Sequence, residues 1–348
     1  MANGIYEFAD LTVRDGAPKR RGAARKRRDT RRTSSRRANI GVIYNPRSHR
    51  NKGQDLVLGG RENVMVATPE KRSQIIDALS DFASSGIDYL IINGGDGTVR
   101  DVLTCGQSVF GDDWPVIAVL PKGKTNALGV DLGAPKDWSL CDAIDAFANN
   151  AHVTRRPIEI APLGSDGAPV RGFIMGAGAF PLGTEAGQDA HSFGLFDSLA
   201  VGLTTGWAVL QALFGRDSNP WRRGVAMSLR GLPSGKPVAH SGHGDVRRRE
   251  IMFASTLCRM PLGIKPFGPE REGLKLALMD KPRRRLMLAL PLVLTGWQPK
   301  WLASAGVHQV DLEAFEFEID GRFILDGEAF PAGRYRVSQG PELTFVTA

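Results

Sequence analysis

Tyr89-Leu90-Ile91-Ile92-Asn93-Gly94-Gly95-Asp96-Gly97-Thr98-Val99-Arg100 decides the reading of this chain, because an apolar run passes into three glycines, one carboxylate and a hydroxyl. The run reads as a buried strand, and a helix is expected to follow the glycines. Gly94, Gly95 and Gly97 lack a Cβ and can take φ > 0, so backbone N–H groups there can approach phosphate oxygens, backed by the positive end of the helix. Asp96 is the odd member. A carboxylate repels a bare phosphate, so Asp96 is expected to act through a bound Mg²⁺ or by accepting a hydrogen bond from a hydroxyl or a lysine. The competing reading is a plain strand-to-helix turn.

Working outward, Ile40 to Tyr44 reads as a buried strand ended by Asn45-Pro46, and Asn63 to Ala67 as a second strand. Glu70 to Ser85 carries Ile75, Ile76, Leu79, Phe82 and Ala83 at helical spacing, and Gly86 stops it. Ile87 to Asn93 and Val116 to Leu120 are further strands, and Asp137 to Asn149 is an amphipathic helix. Strands alternating with helices imply a parallel sheet, whose ligands gather at the carboxyl ends of the strands. Beyond about residue 151 the texture changes. His152 to Ile160, Arg171 to Met175, Gly224 to Arg230, Ile251 to Cys258, Leu274 to Leu278 and Val310 to Ile319 read as strands of a mostly antiparallel domain. The expected organisation is a basic tail over residues 1–37, an α/β domain over 38–150 and a β-rich domain over 151–348, with the last strand free to return to the first domain.

Four stretches, in order, resemble the motifs of diacylglycerol kinases and sphingosine and ceramide kinases, a family whose catalytic domain is related to that of NAD kinases. The first is Ile43-Tyr44-Asn45-Pro46-Arg47-Ser48-His49, similar to the family's strand followed by Asn-Pro-x-Ser-Gly, with His49 at the glycine position. The second is the Gly94 to Thr98 loop, after which Val99, Arg100 and Asp101 stand where the family carries a small apolar residue, Asn and Glu. The third, Pro121-Lys122-Gly123-Lys124-Thr125-Asn126-Ala127, resembles Pro-x-Gly-Thr-x-Asn-Asp, with Lys124 for Thr and Ala127 for Asp. The fourth, Leu325-Asp326-Gly327-Glu328, resembles the Asp-Gly-Glu that supplies the general base.

The resemblance implies a two-domain, ATP-dependent lipid kinase with an N-terminal fold like that of NAD kinase and phosphofructokinase. It assigns nucleotide binding to Asn45, Pro46, Ser48, Thr68, Gly94, Gly95, Asp96, Gly97, Thr98, Val99, Arg100, Gly123, Lys124 and Asn126. Catalysis falls to Glu328 with Asp326, and to Asp96, with ATP and Mg²⁺ held in the cleft between the domains. Thr68 also reads as the N-cap of a helix beginning at Pro69, and Lys124 as a direct phosphate partner. Glu272 stands where the family places the Asp of a structural metal site. Asp320-Gly321 is read as a two-residue hairpin turn. That leaves Asp326-Gly327 free for chemistry, with Asp326 and Glu328 on one side of a strand. The rival readings are a NAD kinase and a non-catalytic protein that keeps the fold.

Charge bounds the partners. The chain of 348 residues has a net charge of +8, with 42% hydrophobic and 24% charged residues, and twelve of its basic residues lie between Arg14 and Arg37. Such a segment is expected to be disordered, and without it the chain is slightly acidic. It lacks interleaved aromatics, so nucleic acid is not expected, whereas contact with an anionic membrane surface is. No apolar h-region follows it, and Cys105, Cys141 and Cys258 are odd in number and far apart. Both features fit a reduced, cytoplasmic protein peripheral to the inner face of the membrane.

Two apolar stretches fall short of a membrane span. Ser198 to Gly215 is diluted by Thr204, Thr205 and Gln211, and its Leu199 to Phe214 part is expected to help membrane contact; Leu286 to Trp297 is shorter and broken by Pro291. A homodimer is allowed. A Walker A loop is excluded because Ala118 stands at its leading glycine. There is no Gly-x-Ser-x-Gly elbow, and His240-Ser241-Gly242-His243 reads as a surface loop rather than a metal site.

Overall fold

The computed structural model describes residues 38–51, 62–149, 151–164, 167–179 and 224–347. The basic tail and the Leu199 to Phe214 stretch lie outside the described residues. The chain divides into two compact units; the described part of one is 38–155 with 342–347, and of the other 156–341.

The first unit is built on β1 (Ile40–Tyr44), β2 (Val64–Ala67), α1 (Arg72–Ser84), β3 (Tyr89–Gly94), α2 (Asp96–Phe110), β4 (Val116–Pro121), α3 (Ala127–Leu132), α4 (Leu140–Asn149) and β5 (His152–Arg155). It is completed by β19 (Leu343–Val346), giving the sheet order β2-β1-β3-β4-β19-β5, parallel except for β5 against β19. Every residue of β1 and β3 is buried, as a continuous apolar run predicts for a strand covered on both faces. Alternate residues Ile40, Val42, Tyr89, Ile91, Ala118 and Leu120 meet Leu140, Ala143 and Ile144 of α4. Gly41 has the opposite parity and lies under the Phe82 ring of α1, so helices cover both faces. Tyr89 adds a buried hydrogen bond from its hydroxyl to Ala143 O at 2.7 Å.

Helix α1 begins at Arg72 with Lys71 as its N-cap residue, so Thr68, exposed just past the end of β2, is not the N-cap. The Gln74 side chain caps the end instead, accepting from the amides of Glu70 and Lys71 at 2.7 and 3.2 Å.

The second unit contains two antiparallel sheets. One joins β6 (Ile158–Pro162), β7 (Val170–Gly172), β9 (Val225–Leu232), β10 (Lys236–Pro237), β15 (Ala314–Ile319) and β18 (Gly333–Gln339) in the order β10-β9-β15-β18-β6-β7, with β11 (Arg248–Arg249) on β9. The other runs β14-β13-β12-β8-β16-β17, from β8 (Ile174–Gly178), β12 (Ile251–Ser255), β13 (Leu274–Met279), β14 (Val307–Leu312), β16 (Phe323–Leu325) and β17 (Glu328–Phe330). Aromatic rings tie the sheets together. Phe323 of β16 meets Phe317 of β15 and Tyr335 of β18 edge-on, at 5.4 and 4.9 Å between centroids, and stacks on Phe330 at 5.1 Å.

One helix, α5 (Arg284–Val293), lies between β13 and β14 in sequence and continues through Pro291 to its last turn. Pro291 therefore does not break the stretch, because so late in a helix a missing N–H costs a single hydrogen bond. Among the described residues no helix is long and apolar enough to cross a membrane.

Two Asp-Gly turns exchange the roles expected of them. Ile319 and Phe323 belong to different sheets, so Asp320-Gly321 is a crossing between sheets and not a hairpin. Asp326-Gly327 is the hairpin: Leu325 pairs with Glu328, and both turn residues have positive φ, 45° and 82°. Those are the conformations a two-residue I′ turn demands and Asp-Gly supplies.

Candidate functional site

In the first unit the parallel strands deliver their carboxyl ends to one edge, and the first three motifs lie there. The loop after β1 turns back on β3: Asn51 is buried, its Nδ2 donating to Asn45 O and Asn93 Oδ1, each at 2.9 Å. Asn45 Oδ1 accepts the Arg47 amide at 3.0 Å, and Asn45 Nδ2 donates to Thr98 Oγ1 at 2.9 Å. Ser48 is buried within this turn and Pro46 is exposed. The motif is thus linked directly to the glycine loop through one side-chain hydrogen bond.

The glycine loop is the sharp end of β3 running into α2. None of Gly94, Gly95 and Gly97 has a positive φ, contrary to the expectation from sequence; the helix starts at Asp96 and needs no left-handed residue. Gly95 is required by close approach instead. A Cβ on it would stand 2.8 Å from the Cα of Gly123, and one on Gly123 would stand 2.7 Å from the Cα of Gly95, so the two loops meet backbone to backbone. At Gly97 a Cβ would meet nothing nearer than Arg100 Nη2 at 3.9 Å. The amides of Gly97 and Thr98, in the first turn of a 15-residue helix, have no hydrogen-bond partner among the described residues, an arrangement that can receive an anion.

Val99 and Arg100 are placed differently from a ligand-facing pair. Val99 is buried and its amide donates to Gly95 O at 3.1 Å. The Arg100 guanidinium is buried and directs Nε and Nη2 to Asp101 Oδ1 at 3.1 and 2.9 Å, a carboxylate that Arg72 also reaches.

Asp96 has a structural task. Its Oδ1 accepts the Ala127 amide at 2.7 Å, and the amides of Leu128 and Asn126 also favour its ionised form; burial pushes the other way and leaves the carboxyl above its usual range. The N-cap residue of α3, Asn126, makes no side-chain cap, so Asp96 does that work from another loop. Asn126 is itself left-handed at φ 53° and closes its own turn: Oδ1 accepts Gly123 N at 2.6 Å and Nδ2 donates to Gly123 O at 2.8 Å. Lys124 is exposed at the tip of that turn, with no partner among the described residues. Ala118 lies buried within β4, where no phosphate loop can form.

Sequence reasoning passed over three residues at this edge. Lys122 donates from Nζ to Trp138 O at 3.0 Å; burial and the neighbouring Arg50 lower its pKa, against Asp137. Arg50 spans the edge, from its amide to Lys122 O and from Nη1 to Lys136 O at 2.9 Å. Asn51 is the third. The available signal was Asn93, a polar residue inside an apolar strand, which needs exactly such a buried partner.

In the second unit the fourth motif is a hairpin anchored by its aspartate. Asp326 Oδ2 and Oδ1 accept the amides of Phe173 and Ile174, each at 2.9 Å, and its own amide donates to Ile174 O at 2.9 Å. Glu328 is half-buried at the start of β17. Asp326 therefore positions the hairpin, and Glu328 follows it by two residues at the start of β17.

Glu272 is exposed. Beside it, the carbonyls of Arg271 and Gly273 accept from the buried Lys275 ammonium, each at 2.9 Å, so they are taken by a side-chain cation and not left for a metal. No group of three or more His, Cys, Asp or Glu that could hold a metal occurs among the described residues. The His240 to His243 loop is also more than a solvated surface. His240 Nε2 lies 3.5 Å from Asp280 Oδ1, and the fully buried Asp280 also receives Arg249, His308 and Ser241.

Residues 39–161 match the family model of the diacylglycerol kinase catalytic domain. No curated protein matches the chain. Among solved structures, a diacylglycerol kinase from Bacillus anthracis str. Sterne is similar over 90% of this chain and 98% of its own, with 11% identity and a TM-score of 0.57. Two others from the same organism, each described as a candidate diacylglycerol kinase, cover 90% of this chain and 99% of theirs, with 12% and 13% identity and TM-scores of 0.62 and 0.60. These structures share the fold: a largely parallel N-terminal sheet with antiparallel sheets after it. The match covers the segment that carries the first three motifs and marks residues 39–161 as similar to the diacylglycerol kinase catalytic domain.

Proposed function

We propose that this protein transfers the γ-phosphate of ATP to a hydroxyl of a membrane lipid, diacylglycerol or a sphingoid lipid, working from the cytoplasmic side at the inner face of the membrane. The observation that carries the reading is the pair of unpartnered amides, Gly97 and Thr98, opening α2 where a Cβ direction points into free space. Phosphate oxygens accept from these amides, and the helix dipole favours their charge. The hydrogen bond from Asn45 fixes the Thr98 hydroxyl, and Lys124 reaches the phosphates as a point charge.

A resident Mg²⁺ does not fit the described residues. The Asp96 carboxylate is committed to the amides that begin α3, and no group of three or more His, Cys, Asp or Glu that could hold an ion occurs among the described residues. Magnesium enters as part of the ATP complex.

An alcohol is a weak nucleophile until its proton is removed. Glu328 takes that proton, and Asp326 acts as a positioning residue by pinning the hairpin that carries it. Catalysis then consists of holding the phosphate in line and accepting one proton. The test is transfer of radiolabelled phosphate from ATP, offered in parallel to a total lipid extract and to NAD, with Glu328→Gln alongside. Labelled phospholipid from the parent and none from the variant is expected. Labelled NADP, or no product from either acceptor, would overturn the reading.

A further inference from the structure

Helix α5 is apolar on two separate faces. Leu286 and Val293 are buried in a cluster with Met279, Leu302 and Val307. Leu288 and Leu292, one turn apart, point about 100–160° away from that pair on a 100°-per-residue helix and are 73% and 57% exposed. Beyond the helix end, Trp297 and Trp301 are 44% and 43% exposed and meet edge-on at 5.6 Å between centroids. A helix needs one apolar stripe to join a core, and a second one needs another apolar medium.

The charges beside these residues have one sign. Residues 281–305 contain Lys281, Arg283, Arg284, Arg285 and Lys300 and no Asp or Glu. Arg283, Arg285 and Lys300 are exposed. Leucines beneath a basic helix start, with tryptophans at the far end, match the depth profile of a bilayer interface: chains in the acyl boundary, indoles at the headgroups and cations on anionic phosphates. A second protein copy would bring the exposed cations Arg283, Arg285 and Lys300 to face themselves, so charge complementarity selects an anionic lipid surface.

We infer that the face formed by Leu288, Leu292, Trp297 and Trp301, rimmed by Arg283 and Arg285, is the surface by which this protein docks on an anionic bilayer. The inference deepens the lipid kinase reading and is tested apart from it. Full-length parent and Leu288→Ser/Leu292→Ser proteins, both retaining residues 1–37, are sedimented with equimolar phosphatidylglycerol and phosphatidylcholine vesicles. Loss of about tenfold in partitioning is expected from the variant, with unchanged circular dichroism because both leucines are exposed. Independently, brominated phosphatidylcholine in the same vesicles should quench parent tryptophan fluorescence, and Trp297→Phe/Trp301→Phe should remove most of that quenching.

Equal vesicle binding by the serine variant, or quenching indifferent to the two tryptophans, would overturn the surface. So would a dimer that the serine variant converts to monomer with vesicle binding intact, since that assigns the face to a second copy. Phosphate transfer to a short-chain, micelle-dispersed diacylglycerol separates the two readings. A parent that docks through α5 yet phosphorylates no lipid fails only as a kinase, and a parent active on micelles whose vesicle binding ignores α5 fails only this inference.

Discussion

Substituting alanine at Gly95 and at Gly97 separates what the glycine loop does for the fold from what it does for a phosphate. On Gly95 the new Cβ lands 2.8 Å from the Gly123 Cα, and both atoms belong to backbone, so neither can swing aside. Overpacking of that kind costs about 1–3 kcal/mol, a fall in Tm of roughly 2–4 °C per kcal/mol. On Gly97 the nearest atom is 3.9 Å away and belongs to a flexible guanidinium. There alanine replaces glycine in a helix, a change worth between about 0 and 1 kcal/mol in favour of the fold. If a phosphate lies on the Gly97 amide, the same methyl moves it by about 1 Å, enough to slow transfer about 100-fold. Thermal unfolding and phosphate transfer measured on both variants should therefore give opposite orders: Gly97→Ala at least as stable as the parent but nearly inactive, Gly95→Ala unstable. Parent-like transfer by Gly97→Ala would refute the phosphate site, and a parent-like Tm for Gly95→Ala would refute the packing argument.

The other expectations concern single atoms. Asp326→Ala leaves two amides without their acceptor and should destabilise by about 2–4 kcal/mol in chemical denaturation, whereas Glu328→Gln should stay within about 1 kcal/mol of the parent; equal losses would contradict the division of labour between them. Burial raises the Asp280 pKa, but hydrogen bonds from His308 and Ser241 and the Arg249 charge outweigh it and hold the carboxyl well below the usual range. Its contribution to stability is thus complete above the unfolded carboxylate pKa of about 3.9 and is lost as pH falls below that value. A Tm profile between about pH 5 and pH 2 should show that loss in the parent and flatten in Asp280→Asn. Lys275→Met removes the donor to two carbonyls beneath a buried position and should cost about 1–3 kcal/mol, read by urea unfolding; a neutral result would mean that water satisfies those carbonyls as well.

What the sequence disclosed and what it withheld follow from how local each signal is. The runs Ile40 to Tyr44 and Tyr89 to Ile92 carry no charged side chain on either face, a pattern that burial on both faces explains, and both belong to central strands. Val310 to Ile319 was expected as one strand, yet it breaks at Glu313: β14 pairs with β13 in one sheet and β15 with β9 and β18 in the other. His152 to Ile160 breaks in the same way at Arg156-Pro157, leaving β5 on β19 and β6 on β18. Alternation records which side of a strand is buried but not which distant strand it pairs with, so a change of sheet within a run leaves no mark. The two Asp-Gly turns were exchanged for the same reason, since the dipeptide fits a hairpin wherever it stands and only pairing decides. At the strand ends, residue type suggested Asp96 and Asn126 as ligand groups. Their oxygens instead accept the amides of Ala127 and Gly123. A loop that offers bare amides to an anion must itself be held rigid by polar groups that are fully used, and the two roles call for the same residues. Sequence identifies such a loop, but only atomic positions separate the groups that hold it from the groups that bind.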